Sequence, residues 1–287
     1  MTSQPSPVVF TEQSGFFKAP DHLRLYWRSF IPYRPRAAIG LIHGYADHSG
    51  RYLPTLRRFA GLGFAMHAFD YRGHGQSDGR RGHCDHFSDY LGDLQAFVDR
   101  VRGEARGQKL FLFGHSHGSL ISLRWALDHP ELPDFGGAIL SGPYLKLALT
   151  PPRLKVLGAQ VMGKVIPWLP VPTGLSMDML TRDVEVQKAT ERDPLYNRNA
   201  TPRWFNECNR VQEEVLARAA DFKWPALFLH GGADPIASVD ATRDFYARAG
   251  SADKQLIVYE GFKHEVLNET EHERVWTDAA AWIEKRL

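Results

Sequence analysis

Cysteine is scarce in this 287-residue chain, with only Cys84 and Cys208, far apart and in no spacing pattern. That excludes a disulfide framework. Long apolar runs are missing too: none approaches the roughly 18 residues that a membrane span needs. The opening Met-Thr-Ser-Gln-Pro-Ser-Pro has no basic patch followed by an apolar core, so no signal peptide is expected. These two absences give the expectation of a cytoplasmic protein. Nor does one sign of charge dominate. The net charge is +2 with 24% charged residues and no basic stripe, which argues against a nucleic-acid partner. No internal repeat or low-complexity segment is visible. His83-Cys-Asp-His86 carries metal-capable side chains but lacks tetrahedral zinc spacing, so no metal site is expected. The Gly- and Arg-rich loop from Arg72 to Arg81 lacks the lysine and the direct strand-to-helix step of a phosphate-binding loop. Its glycines read as turn formers.

What is present is a 43% hydrophobic composition, enough for one α/β domain with an inserted lid or two small domains. The chain is organised around Lys109–Arg124. Leu110–Phe113 is a short apolar run, read as a buried strand, and Gly114-His-Ser-His-Gly118 follows at once. Leu120, Leu123, Ala126 and Leu127 then recur at helical spacing until His129-Pro130. Strand, sharp turn and helix make the Gly-x-Ser-x-Gly a nucleophile elbow with Ser116 at its tip.

Further strands are expected at 23–28, 37–44, 64–70, 137–142, 225–231 and 254–260, with helices at 51–62, 86–104, 239–249 and 270–286. Residues 1–15, rich in Pro and Ser, read as a loose lead-in. Between Tyr144 and Trp224 the alternation stops, leaving prolines, helical fragments and no convincing strand. The pattern predicts an α/β fold, a mostly parallel central sheet with helices on both faces. Residues 1–143 and 225–287 would build the core and 144–224 a helical cap above the strand ends, where such sheets place ligands.

A serine hydroxyl needs an imidazole to take its proton, and the imidazole needs an acid to orient it. In sheets of this topology the chain order is Ser, acid, His, each on a loop after a strand. Asp234, in Gly231-Gly-Ala-Asp-Pro235, and His264, in Gly261-Phe-Lys-His-Glu265, satisfy that order. Asp221 precedes its strand, Asp240, Asp244 and His272 lie within helices, and His230 sits on a strand end. The oxyanion would be held by two backbone N–H groups, those of His117 and Tyr45. The His117 side chain reads as packing or polar lining. A histidine base implies activity rising with pH through about 6.5.

At these residues the chain resembles the monoacylglycerol lipase and lysophospholipase-like branch of the α/β-hydrolases. The resemblance rests on His43-Gly-Tyr-Ala-Asp-His-Ser-Gly-Arg-Tyr52, Asp70-Tyr-Arg-Gly-His-Gly-Gln-Ser-Asp-Gly79, Gly114-His-Ser-His-Gly118 and Gly261-Phe-Lys-His-Glu-Val-Leu-Asn-Glu269. It covers most of residues 15–287 and places Ser116, Asp234 and His264 on the family's triad and Tyr45 and His117 on its oxyanion positions. The family usually has Met-Gly-Gly after the serine; here His117-Gly118-Ser119 gives a more polar wall.

The resemblance implies the α/β-hydrolase fold and a cofactor-free serine ester hydrolase acting through an acyl-enzyme, with monoacylglycerol as the leading substrate. Lysophospholipids, short- or medium-chain esters and peptides for an S33-type aminopeptidase stay open, as does a ligand-binding homologue without chemistry. Cap residues Val161, Val165, Leu175 and Met179 are expected to wall the substrate. Leu154, Leu157, Val161, Val165 and Trp168 also share a helical stripe flanked by Lys155 and Lys164. Such a stripe either covers the active site or lies in a membrane interface.

Overall fold

The computed structural model describes residues 8–105, 107–149 and 153–287. Its sheet begins with an antiparallel hairpin, β1 (Phe10–Lys18) and β2 (Arg24–Pro32), and continues through β3 (Ala38–Ile42). Helix α1 (Leu53–Gly61), with Pro54 in its first turn, leads to β4 (Ala65–Phe69). After α2 (Phe87–Ala105) come β5 (Leu110–His115), α3 (His117–Ala126) and β6 (Phe135–Ser141).

The overlying segment then holds α4 (Arg153–Val165), β7 (Val171–Pro172), α5 (Met177–Leu180), α6 (Val184–Arg192), β8 (Asn199–Ala200) and α7 (Pro202–Ala217). The sheet resumes with β9 (Ala226–Gly231), α8 (Val239–Arg248), β10 (Lys254–Tyr259) and α9 (His272–Glu284). Strand order is β1-β2-β4-β3-β5-β6-β9-β10, and every pairing from β4 to β10 is parallel.

Strands β3, β4, β5 and β9 are buried at every position, which is why they read as unbroken apolar runs rather than alternating ones. One face packs on α2, α3, α7 and α8 through residues such as Phe97, Leu120, Val211 and Phe245. The other packs on α1 and α9 through Phe59, Val275 and Trp282. From β3 the chain passes to β4 on one side, then returns to set β5 on the other. At that reversal the loops after β3 and β5 diverge and leave a crevice between them. Tyr45 sits on the first loop and Ser116 on the second.

Two expectations need correction. The lead-in is not loose throughout: β1 pairs with β2 over nine residues from Phe10 to Lys18. It is an edge strand with Thr11–Ser14 exposed, so no apolar alternation marks it, and its backbone ladder supplies the order. Residues 1–7 of that lead-in lie outside the described residues. The overlying segment does contain strand, the two-residue ribbon β7–β8, too short to leave a period in the sequence. Helix α7, capped by Thr201 on the Trp204 N–H, buries Cys208, Val211 and Val215 against the helix layer. The end of the overlying segment is therefore part of the main core.

Candidate active site

Ser116 takes φ 52° and ψ −116°, a strained backbone for a non-glycine residue. The strain is held by packing from both sides. A Cβ on Gly114 would lie 2.8 Å from the Gly118 carbonyl oxygen, and one on Gly118 would lie 2.3 Å from that of Ile42. Only glycine fits at either place. The turn lifts Ser116 above the sheet edge, where its Oγ lies 2.8 Å from His264 Nε2. His264 Nδ1 lies 2.7 Å from Asp234 Oδ2. The three residues named from the sequence thus form one hydrogen-bonded line.

Asp234 is fixed by three donors: its Oδ1 accepts the Ile236 and Ala237 N–H groups and its Oδ2 accepts from His264. His230 Nε2, which donates to the Ala237 carbonyl at 3.2 Å, lies 3.1 Å from the same Oδ2. Burial alone would raise its pKa, but the two imidazoles outweigh that and hold the carboxyl well below the usual carboxylate range. For His264 burial works downward, yet Asp234, with help from Glu265 and Asp47, pushes the pKa above the ordinary histidine value. The expected midpoint near 6.5 is therefore shifted upward. His115, 5.0 Å away ring to ring, is pushed down to about 4 by burial and by the positive charge on His264. It stays neutral and does not compete as base.

His230, which sequence pattern marks only as a strand-end histidine, stands beside Asp234 because it lies four residues before it. A second omission lies beneath His264. Arg51 makes a bidentate pair with Glu265 at 2.8 and 2.9 Å and reaches Asp47 at 3.1 Å, with all three side chains at most 7% exposed. Arg51 also donates to Thr190 of α6, and Asp47 accepts the Tyr52 hydroxyl.

On the opposite side of Ser116, the loop after β3 comes close enough that a Cβ on Gly44 would stand 3.3 Å from the Ser116 Cβ. The Tyr45 N–H has no acceptor among the described residues. His117 opens α3, so its N–H has no intrahelical acceptor. Both backbone donors named from the sequence thus flank the serine.

Ser116 and His264 open into a cavity of about 650 Å³ lined by Tyr45, Met162, Leu175, Leu180, Tyr196 and Trp204, among others, with Asp47 and Glu265 also on its wall. Of the four expected cap residues only Leu175 lines it. Val161 and Val165 point away and are 54% and 68% exposed, because the face of α4 that carries them is turned to solvent while Gly158, Ala159 and Met162 face inward. Met179 packs with Ala46, Leu180 and Tyr196 rather than lining the cavity. The Lys155 side chain of the expected basic flank lies outside the described residues. His83 bonds Thr201 Oγ1 and Asp85, and no group of three metal-capable side chains converges among the described residues.

Residues 33–271 match the profile of the family described as serine aminopeptidase, S33. The chain is 33% identical to a monoacylglycerol lipase of Mycolicibacterium smegmatis over 98% of this chain and 100% of that one. It is 31% identical to a phospholipase of Bacillus subtilis over 88% and 97% of the two chains. The crystal structure of a monoacylglycerol lipase from Paleococcus ferrophilus superposes with a TM-score of 0.81 at 27% identity, covering 96% of this chain and 100% of that one. A serine on a strained elbow at a sheet reversal, with full-length relatives of the same architecture, identifies the chain as a member of the S33 serine aminopeptidase family, with the α/β-hydrolase fold.

Proposed function

We propose that the protein is a serine carboxylic-ester hydrolase that cleaves monoacylglycerols to fatty acid and glycerol through an acyl-enzyme. The observation that carries the reading is the Ser116–His264–Asp234 line opening into a mainly apolar cavity. Ser116 Oγ attacks the ester carbonyl while His264 Nε2 takes its proton. The oxyanion forms against the Tyr45 and His117 N–H groups. Collapse expels the glycerol oxygen, which takes the proton back from His264, and water repeats the cycle to release the fatty acid. Asp234 holds His264 in the Nδ1–H tautomer and stabilises the imidazolium. No cofactor takes part. The cavity supports a lipid substrate because its walls are mainly aliphatic and aromatic.

In this reading residues 1–143 and 225–287 are the catalytic core and 144–224 the cap, whose last helix α7 is packed into the core. The outward face of α4 rests on a lipid surface, since Leu154, Leu157, Val161 and Val165 are all more than half exposed on one side of it. No helix among the described residues is long and apolar enough to cross a membrane. Contact would therefore be peripheral.

Ser116→Ala tests the reading. It removes one hydroxyl and should lower turnover about 10^4-fold or more with an unchanged melting temperature. Turnover above about a tenth of wild type would remove Ser116 from the mechanism. A panel of monoacylglycerols, lysophospholipids and p-nitrophenyl esters of graded length then ranks the substrates.

A further inference from the structure

The Gly44 carbonyl and the Tyr45 N–H are two ends of one trans peptide group and point in opposite directions. Whatever holds the carbonyl therefore aims the N–H. The Gly44 oxygen accepts two hydrogen bonds, from the Tyr71 hydroxyl at 2.8 Å and from His43 Nδ1 at 2.7 Å. The His43 ring is itself set by Tyr71. Its Nε2 accepts the Tyr71 N–H at 3.3 Å, and the two rings stack with centroids 4.0 Å apart and 13° between planes. Both bonds to the Gly44 oxygen thus trace back to one residue.

The Tyr71 hydroxyl has a second neighbour, His117 Nδ1 at 3.2 Å. Because the Tyr71 O–H is committed to the Gly44 carbonyl, the imidazole must donate Nδ1–H to the Tyr71 oxygen. His117 Nε2 then carries the bare lone pair, and it is buried without a hydrogen-bond partner among the described residues. Burial pushes the His117 pKa down to about 3, so the ring is neutral, as this arrangement requires.

We infer that Tyr71 is a positioning residue for the oxyanion hole and that the His117 side chain supports it, through the chain His117 Nδ1–H to Tyr71 O–H to the Gly44–Tyr45 peptide. This rests on the assignment of the Tyr45 and His117 N–H groups as the oxyanion donors. One end of the chain is the side chain of the residue whose backbone supplies one donor, and the other end is the peptide that supplies the second. The two halves of the hole are therefore coupled by side chains that never touch substrate. With both lone pairs of the Gly44 oxygen engaged, the peptide is also polarised, which makes the Tyr45 N–H a stronger donor. A methionine at 117 could not donate this bond, so the polar wall beside the serine has a specific task.

The test uses the full chain and four variants: Tyr71→Phe, His117→Met, the double variant and Ser116→Ala. The readouts are kcat and KM for a soluble p-nitrophenyl ester and inhibition by two probes. An alkyl trifluoromethyl ketone forms a hemiketal oxyanion on the serine, whereas an alkyl glyceryl ether binds without one. Tyr71→Phe should lower kcat by about 10- to 100-fold, below the loss for deleting a donor outright, with KM unchanged. The ketone should weaken by the same factor and the ether should not weaken. His117→Met should show the same pattern at about 3- to 10-fold, and the double variant should be no worse than Tyr71→Phe, since both break one chain.

Wild-type kcat and ketone affinity in Tyr71→Phe, equal weakening of ketone and ether, or additive losses would overturn the inference. If Tyr71→Phe does not fold, His117→Met decides alone, and wild-type ketone affinity in it overturns the inference. Loss of activity in Ser116→Ala beside an unaffected Tyr71→Phe defeats only the positioning role. Retained activity in Ser116→Ala defeats the serine mechanism itself.

Discussion

The two halves of the segment above the sheet are attached in different ways. Residues 177–200 are tied to the loops that carry the candidate active site. Leu180 O accepts the Glu265 N–H and Thr181 Oγ1 bonds Asn268 O, on the loop after His264. Arg182 pairs with the fully buried Glu269, His48 meets Asp193 at 2.8 Å, and Ala46 O accepts the Asn197 N–H. Among the described residues, residues 153–172 have fewer hydrogen-bonded ties: Asn206 to Ala159 O, Arg203 N–H to Pro167 O, and the β7–β8 ribbon, with α4 packed along α7. That half presents apolar side chains to solvent. The difference teaches that one segment does two things: its second half is bonded to the loops that carry His264 and Tyr45, and its first half covers the cavity with an outward apolar face.

The largest effect should come from cutting the brace at Arg51. Arg51→Ala leaves Glu265 and Asp47 as buried carboxylates without their cation and releases Thr190 of α6. Breaking a buried pair by removing one partner costs about 3–5 kcal/mol. Urea unfolding followed by circular dichroism should show a loss of that size. A loss under about 1 kcal/mol, the range of an exposed pair, would mean that the Arg51 cluster braces neither the loop after His264 nor α6.

Next in size is the pH profile. His264 must be neutral to act as base, and Asp234, Glu265 and Asp47 outweigh burial to raise its pKa. The rate kcat/KM for a soluble ester should rise with pH through a midpoint above the ordinary value of about 6.5 and fall away below it. Glu265→Gln removes one of the negative charges and should move the midpoint down. If the midpoint stays or rises, Glu265 braces the loop mechanically and has no part in tuning the base.

These features differ in how far the sequence reveals them. The Ser116 elbow and Asp234 are legible because each follows a fully buried strand whose apolar run stands out, and His264 because it follows the chain's last strand, although β10 is only partly buried. Helix α2 is legible for the same reason, with Phe87, Tyr90, Leu94, Phe97, Val98 and Val101 marking one buried face. Strand β1 is not, since its order comes from backbone pairing along an exposed edge. The Arg51–Glu265 pair joins residues 214 positions apart, and no local period records such a contact. The orientation of α4 was illegible for a subtler reason. Periodicity shows that Leu154, Leu157, Val161 and Val165 share a face but not what that face meets. Assigning Val161 and Val165 to the cavity assumed that an apolar face turns inward.

The smallest effect on the folded protein, and the sharpest test of the first half, comes from Leu157→Asp and Val161→Asp. Both side chains are more than half exposed, so a carboxylate there stays hydrated and breaks no packing. Stability should change by no more than about 0.5 kcal/mol, and hydrolysis of dissolved short-chain esters should stay at the wild-type rate. Binding to lipid is where the variants should differ. An apolar helical face binds an interface in proportion to the area it buries, and a charge at its centre removes that gain. Wild type should co-sediment with phosphatidylcholine vesicles and both variants should stay in the supernatant. Zwitterionic lipid is the right choice, because repulsion from an anionic surface then cannot account for the loss. Hydrolysis of vesicle-borne monoacylglycerol should fall with binding, while turnover of the dissolved ester does not. If wild type does not sediment and both variants lose the dissolved ester as well, the α4 face is internal cover for the cavity. The contrast between the two halves would then be one of anchoring alone.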